Sequence, residues 1–242
     1  KVKMTAMPQM VALFNGMGGG TAALVSIGEY MTGEARTAGI ILSATLGTAI
    51  GALSFSGSLA AFGKLQELLP DRPLKYPGQM AINALLMLTL IGLGAMLTMG
   101  RGTTMHLLIV CAIAFIVGIL AVLPIGGADM PVVISILNSA TGVAAALTGF
   151  VLNNQILIVA GALVGASGTL LTVLMARAMN RPVTNVLFGA FGAVSTVAGG
   201  GPAGDAGLVG VAERLLDARG GVVLAEIIAD QVDGRIRAGL DA

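Results

Sequence analysis

Residues 101–177 read RGTTMHLLIVCAIAFIVGILAVLPIGGADMPVVISILNSATGVAAALTGFVLNNQILIVAGALVGASGTLLTVLMAR, and between the two terminal arginines the only formal charge is Asp129. A membrane-crossing helix takes about 20 mostly apolar residues. This stretch therefore holds three such helices, parted by the turns PIGGADMP (124–131) and LNNQ (152–155). The apolar runs are continuous rather than alternating, and they outlast a barrel strand, which argues against a β-barrel.

Moving outward, the same reading gives spans at 9–31, 38–63, 80–99, 104–124, 130–152 and 155–178. The chain has 242 residues, 56% of them hydrophobic and 10% charged. Soluble domains carry about 25% charged residues, so this chain lacks the polar side chains to cover a water-facing globule. The composition likewise excludes a disordered chain. The predicted fold class is an all-α, polytopic transmembrane helix bundle of about six spans, with a short soluble helical C-terminal tail. A net charge of +1 gives no basic surface for nucleic acid. The single cysteine, Cys111, lies in an apolar run, so no disulfide frame or thiolate metal site is expected.

An even number of spans puts both ends on one side of the membrane. That side would hold Lys1, Lys3, Lys64, Arg72, Lys75, Arg177 and Arg181, against Arg36 and Arg101 on the other. The positive-inside rule then places both termini and the loop 63–79 in the cytoplasm. The predicted domains are a transmembrane unit at 1–192, a Gly-rich linker at 193–206 and a short cytoplasmic helical tail at 207–242. The chain begins KVKMTAMPQM, without an initiator Met or a signal peptide, and reads as an excerpt of a longer polypeptide.

The richest polar pattern lies after Asp129. Ser135, Asn138, Thr141, Ala145 and Thr148 recur at steps of three and four, which puts them on one helical face. An amide in hydrocarbon must find partners. Asn138 is read either as part of a hydrated polar wire or as an interhelical hydrogen bond that serves packing. Asp129 follows Gly126-Gly127-Ala128 and precedes Pro131, which suits a helix N-terminus. A cap is one reading; an intramembrane carboxylate with a function is the other. The two residues are nine apart, so on a straight helix they face opposite sides: Asp129 belongs at the mouth and Asn138 deep in the bundle.

Glycines recur at helix-packing spacing: Gly16 and Gly20, Gly47 and Gly51 (followed by Ser54 and Ser58), and Gly161, Gly165 and Gly168. Removing side chains lets helices touch closely. His106, the single histidine, opens a span and reads as interfacial, with no second ligand for a metal. Gly199, Gly201 and Gly204 match GxGxxG, with Glu226 about twenty residues on. Pro202 interrupts the motif and the chain has too few strands for a dinucleotide domain, so a linker is the expected reading.

Together KVKMTAMPQMVALFNGMGGG, GALSFSGSLAAFGKL, IGGADMPVVISILNSATG and VAGALVGASG…ARAMNRPVTNVLFGAFG resemble the membrane domain of the beta subunit of proton-translocating NAD(P) transhydrogenase, from Lys1 to about Gly192. The resemblance implies an enzyme that moves hydride from NADH to NADP⁺, driven by protons crossing the inner membrane inward. It implies an alpha subunit carrying the NAD(H) domain, an NADP(H)-binding domain after the beta membrane spans, and a dimer of alpha–beta units. It places Asp129 and Asn138 on the family's functional polar positions, with Ser135 and Thr141 as neighbouring hydroxyls that order water. It places Gly149, Gly161, Gly165 and Gly168 on helix-contact positions, and Arg181 at the cytoplasmic exit where the NADP(H) domain docks. The family's GYGMAVAQAQ-like run is not found, nor are its N-terminal spans, so this chain is expected to bind neither nucleotide by itself. A channel or transporter using the same polar face, and a structural subunit that only docks partners, are the competing readings.

Overall fold

The computed structural model describes residues 6–32, 37–70 and 78–180. They form six long helices: α1 (Met7–Thr32), α2 (Ala38–Leu65), α3 (Gln79–Thr98), α4 (Thr104–Val122), α5 (Met130–Val151) and α6 (Gln155–Ala178). A one-turn 3-10 helix, Gly127–Asp129, leads into α5. No strand occurs among the described residues. All six helices are long and apolar enough to cross a membrane, and their bounds fall within a few residues of the six predicted runs. The architecture is the expected all-α bundle. Arg181, the glycines at 199, 201 and 204, the linker and the tail helices lie outside the described residues.

The turns follow from local chemistry. After α5 the chain reverses through Asn153, whose φ of 51° is left-handed, a conformation asparagine adopts more readily than most residues. Asn154 then caps α6, its Oδ1 accepting from the Leu157 N–H at 3.2 Å. Gly100, at φ 74°, closes α3. At the start of α4, Thr103 and His106 form a reciprocal cap in which the His106 ring Nδ1 lies 2.8 Å from the Thr103 hydroxyl. The interfacial histidine of the sequence reading is thus tied to its own helix end.

Helix α2 is the hub, packing against α1, α4 and α5 and more lightly against α3. Helix α6 lies along α5, while α3 leans on α4 and α2 at the periphery. The outer surface is apolar: Phe14, Leu24, Leu85, Leu88, Ile156, Leu163 and Leu170 are all exposed. Asn15, Ser26, Thr48, Ser54, Ser58 and Lys64 are instead buried. This inversion of the soluble pattern is what lipid as solvent selects.

Close backbone approach replaces hydrophobic driving force between the helices. A Cβ placed on Gly142 would lie 2.5 Å from the Gly165 nitrogen, and one on Gly161 2.7 Å from the Gly142 carbonyl. On the opposite flank, a Cβ on Gly51 would lie 2.7 Å from the Gly19 carbonyl and 2.9 Å from the Ala23 nitrogen. These distances leave no room for a side chain.

Candidate functional site

The predicted polar stripe of α5 does not face one way. Ser135 points to α6, donating to the Gly168 carbonyl at 3.2 Å and accepting from the Thr172 hydroxyl at 3.0 Å. Thr141 points to α2, its Oγ1 2.5 Å from Ser54 Oγ. Thr148 points to α1, 3.1 Å from Ser26 Oγ. The 3.6-residue period groups positions within about 100° of one another, and three neighbouring helices divide that arc. Asn138 lies between these directions, half-buried, and no side chain among the described residues holds its amide.

The groups that come together are on α1, α2 and α5. Asn15, 8% exposed, donates through Nδ2 to Ser58 Oγ at 2.9 Å and lies 3.5 Å from Ser54 Oγ. Ser54 donates to the Leu137 carbonyl at 2.9 Å and contacts Thr141, which also reaches the Leu137 carbonyl at 3.0 Å. The result is a side-chain network spanning three helices. One enclosed atom of this network, Asn15 Oδ1, has no hydrogen-bond partner among the described residues. A buried acceptor left without a donor costs about 1–3 kcal/mol.

A second polar pair, Ser26 and Thr148, sits eleven residues along α1 from Asn15, or about 16 Å at the helical rise. Between the two levels lies the close contact of Gly19 and Gly51. Gly47 belongs to the upper level: a Cβ there would lie 2.7 Å from Ser26 Oγ. Glycine at 47, 51 and 19 is therefore what lets α1 and α2 approach closely enough for their hydroxyls and amide to meet.

Asp129 stands at the residue preceding α5, with Pro131 in the first turn. Its side chain makes no capping hydrogen bond to that helix, so the capping role read from sequence is not what the geometry shows. Its backbone N–H donates to the Gly126 carbonyl at 3.1 Å, closing the short turn. Lys64 also departs from expectation. Counted from sequence as a loop charge, it lies in the last turn of α2 and is 2% exposed. Its Nζ donates to the carbonyls of Leu123 and Ile125 at 2.5 and 2.6 Å.

The glycines on α5 and α6 lie close against the facing helix, Gly149 and Gly168 against its backbone and Gly165 nearest a side chain. A Cβ on Gly149 would lie 2.7 Å from the Ile158 nitrogen, one on Gly168 3.0 Å from Ser139 Cα, and one on Gly165 3.2 Å from a Val143 methyl. Ser139 adds bonds to the Gly165 carbonyl (2.7 Å) and the Thr169 hydroxyl (2.8 Å).

Sequence reading missed Asn15, Ser26, Gly19 and Gly142. Asn15 sits alone in the run LFNGMGGG, with no polar residue at three or four steps to mark a face. Its partners are 39 and 43 residues away. Gly142 forms GxxxG with no residue of its own helix, so its packing role appears only against α6.

Comparison with known proteins adds two findings. A family described as "NAD(P) transhydrogenase beta subunit" matches residues 1–214. Two sequences named "NAD(P) transhydrogenase subunit beta", from Rhodospirillum rubrum and from a named strain of it, are each 45% identical over 214 residues. The match covers 85% of this chain and 46% of each relative, so the chain spans about half the length of the curated relatives it matches.

Proposed function

The chain belongs to the NAD(P) transhydrogenase beta-subunit family, and on that premise we propose that it is the proton-conducting part of that enzyme's membrane sector. Within the whole enzyme it would couple inward proton movement to hydride transfer from NADH to NADP⁺. NAD(H) and NADP(H) are substrates of domains beyond the described residues: an alpha subunit and an NADP(H)-binding domain. The working unit would be a dimer of alpha–beta pairs in the inner membrane. The cytoplasmic placement of both termini rests on the excess of lysine and arginine at the Lys64 side.

The observation that carries the reading is the network of Asn15, Ser54, Ser58 and Thr141 with the enclosed Asn15 Oδ1. A packing bond needs only that donors and acceptors match. A relay needs groups that both give and take a hydrogen bond, with one site free to take a mobile donor. Serine and threonine hydroxyls do both, and the asparagine oxygen offers the free site. Protons would pass along water held by these groups. Asn138, one turn from Thr141 on the same helix, would hold water on the α5 side, with the Ser135 hydroxyl toward α6.

Asp129 and Arg181 would couple the route to the nucleotide domain. Asp129 has the position for this at the foot of α5, where its carboxylate is not spent on capping the helix. Gly47, Gly51, Gly149, Gly161, Gly165 and Gly168 would fix the helix separations on which those distances depend.

The test is nucleotide-driven acidification of inverted vesicles carrying the complete enzyme with this chain. NADPH and an NAD⁺ analogue would be supplied. Asn138→Ala and Asp129→Asn are expected to lower both acidification and hydride transfer. Unchanged rates in both variants would overturn the reading. Hydride transfer without acidification in the parent would make the chain a docking scaffold.

A further inference from the structure

Lys64 is a buried ammonium that takes no part in the polar seam of Asn15, Ser54, Ser58 and Thr141. It lies in the last turn of α2 and is 2% exposed. Two of its N–H donors go to the carbonyls of Leu123 and Ile125, which flank Pro124 at the corner between α4 and α5. Leu123 is the residue that closes α4. Carbonyls at a helix C-terminus lack intrahelical partners, and the negative end of the helix dipole favours a cation. Hydrogen bonds from a charged donor are about twice as strong as neutral ones. The ammonium therefore finds at this corner the acceptors that its own burial demands.

The corner's own ties are few: the Ile125 N–H donates to the Val122 carbonyl at 3.1 Å, and the Ile125 side chain packs in the core. Pro124 contributes no N–H, and Gly126 and Gly127 contribute no side chain that would anchor it to a neighbour. Past Ile125 the path to Asp129 is short and closed: the Asp129 N–H donates to the Gly126 carbonyl within the single turn Gly127–Asp129. Holding the Ile125 carbonyl thus fixes where that turn starts, and with it the Asp129 backbone.

We infer that Lys64 is a positioning residue for Asp129: its ammonium, by clasping the Leu123 and Ile125 carbonyls, sets the corner from which Asp129 and α5 depart. This rests on the coupling role proposed for Asp129. It ties α2, which carries Ser54 and Ser58, to the foot of α5, which carries Thr141. A shift in either helix is transmitted to the other through one side chain.

The test uses the complete enzyme in vesicles, with Lys64→Met, Lys64→Arg, Asp129→Asn and the double variant Lys64→Met/Asp129→Asn. Hydride transfer from NADPH to an NAD⁺ analogue is read per assembled enzyme. Lys64→Met is expected to lower the rate about tenfold, and Lys64→Arg to recover most of it, because the charge and donors remain. With Asp129→Asn in place, Lys64→Met is expected to change the residual rate by less than about twofold, the non-additivity of residues that act through one another.

A Lys64→Met enzyme within twofold of the parent, or a full tenfold loss in both backgrounds, overturns the inference. If Lys64→Met does not assemble, Lys64→Gln, which keeps a donor toward the same carbonyls, carries the comparison. Failure of both to assemble makes Lys64 a folding residue and also overturns it. Loss with Asp129→Asn but none with Lys64→Met contradicts this inference alone, whereas parental rates with Asp129→Asn contradict the reading of Asp129 and the inference with it.

Discussion

Helix α5 has two seams, and they use the same residue types to different ends. Against α6 it presents Gly142 and Gly149 to Gly161, Gly165 and Ile158, with Ser135 and Ser139 bonded to the carbonyls of Gly168 and Gly165. Those hydroxyls are consumed by backbone acceptors and by Thr169 and Thr172. Against α1 and α2 the polar groups bond chiefly to one another: Asn15 to Ser58, Ser54 to Thr141, Ser26 to Thr148. There the enclosed Asn15 Oδ1 keeps its acceptor capacity.

Glycine spacing and hydroxyl content therefore do not separate a packing seam from a conducting one. Both seams mix bonds to backbone carbonyls, such as Ser54 to Leu137 and Ser139 to Gly165, with bonds between side chains, such as Ser54 to Thr141 and Ser139 to Thr169. What separates them is the enclosed Asn15 Oδ1, a buried acceptor with no donor among the described residues.

The largest effects are expected where backbone meets backbone. Gly142→Leu or Gly161→Leu would force α5 and α6 apart, since even a Cβ meets main-chain atoms at 2.5 Å from Gly142 and 2.7 Å from Gly161. A cost upwards of about 3 kcal/mol follows from overpacking without room to relax. Size-exclusion chromatography of the solubilised protein is expected to show no assembled enzyme. Normal assembly would remove the contrast between the seams.

Next in size is the loss of the α2–α5 link. Ser54→Ala removes the hydroxyl that joins Asn15, Thr141 and the Leu137 carbonyl. Coupled hydride transfer is expected to fall about threefold to tenfold, with stability lowered by about 1–2 kcal/mol, at about 0.6 kcal/mol for each interhelical hydrogen bond in lipid. A fall in stability alone, measured by thermal melting, would reclassify Ser54 as a packing residue.

Ser139→Ala is expected to do the reverse. It removes bonds to Gly165 and Thr169, at about 1 kcal/mol of stability in all, and leaves hydride transfer unchanged. An activity loss in this variant would show that the α5–α6 seam takes part in conduction.

The bundle was legible in the sequence because lipid imposes long unbroken apolar runs. The turns were legible because Pro131, Asn153 and Asn154 carry their geometry locally. The site was legible only on α5, where Ser135, Thr141 and Thr148 stand at helical spacing. Even there the period could not say which neighbour each one meets, and the structure sends them to three different helices. Asn15 escaped notice because its partners lie on another helix, and helix order is a tertiary fact. Lys64 was misread because a lysine after an apolar run counts as a loop charge until the corner of α4 and α5 is seen to fold over it.

The most direct measurement is acidification of inverted vesicles by the complete enzyme, comparing Asn15→Leu with Ser139→Ala. Asn15→Leu is expected to assemble yet lose proton pumping by about tenfold or more, while Ser139→Ala pumps at the parental rate. Parental pumping by Asn15→Leu, whose side chain neither donates nor accepts a hydrogen bond, would contradict the claim that protons cross between α1, α2 and α5.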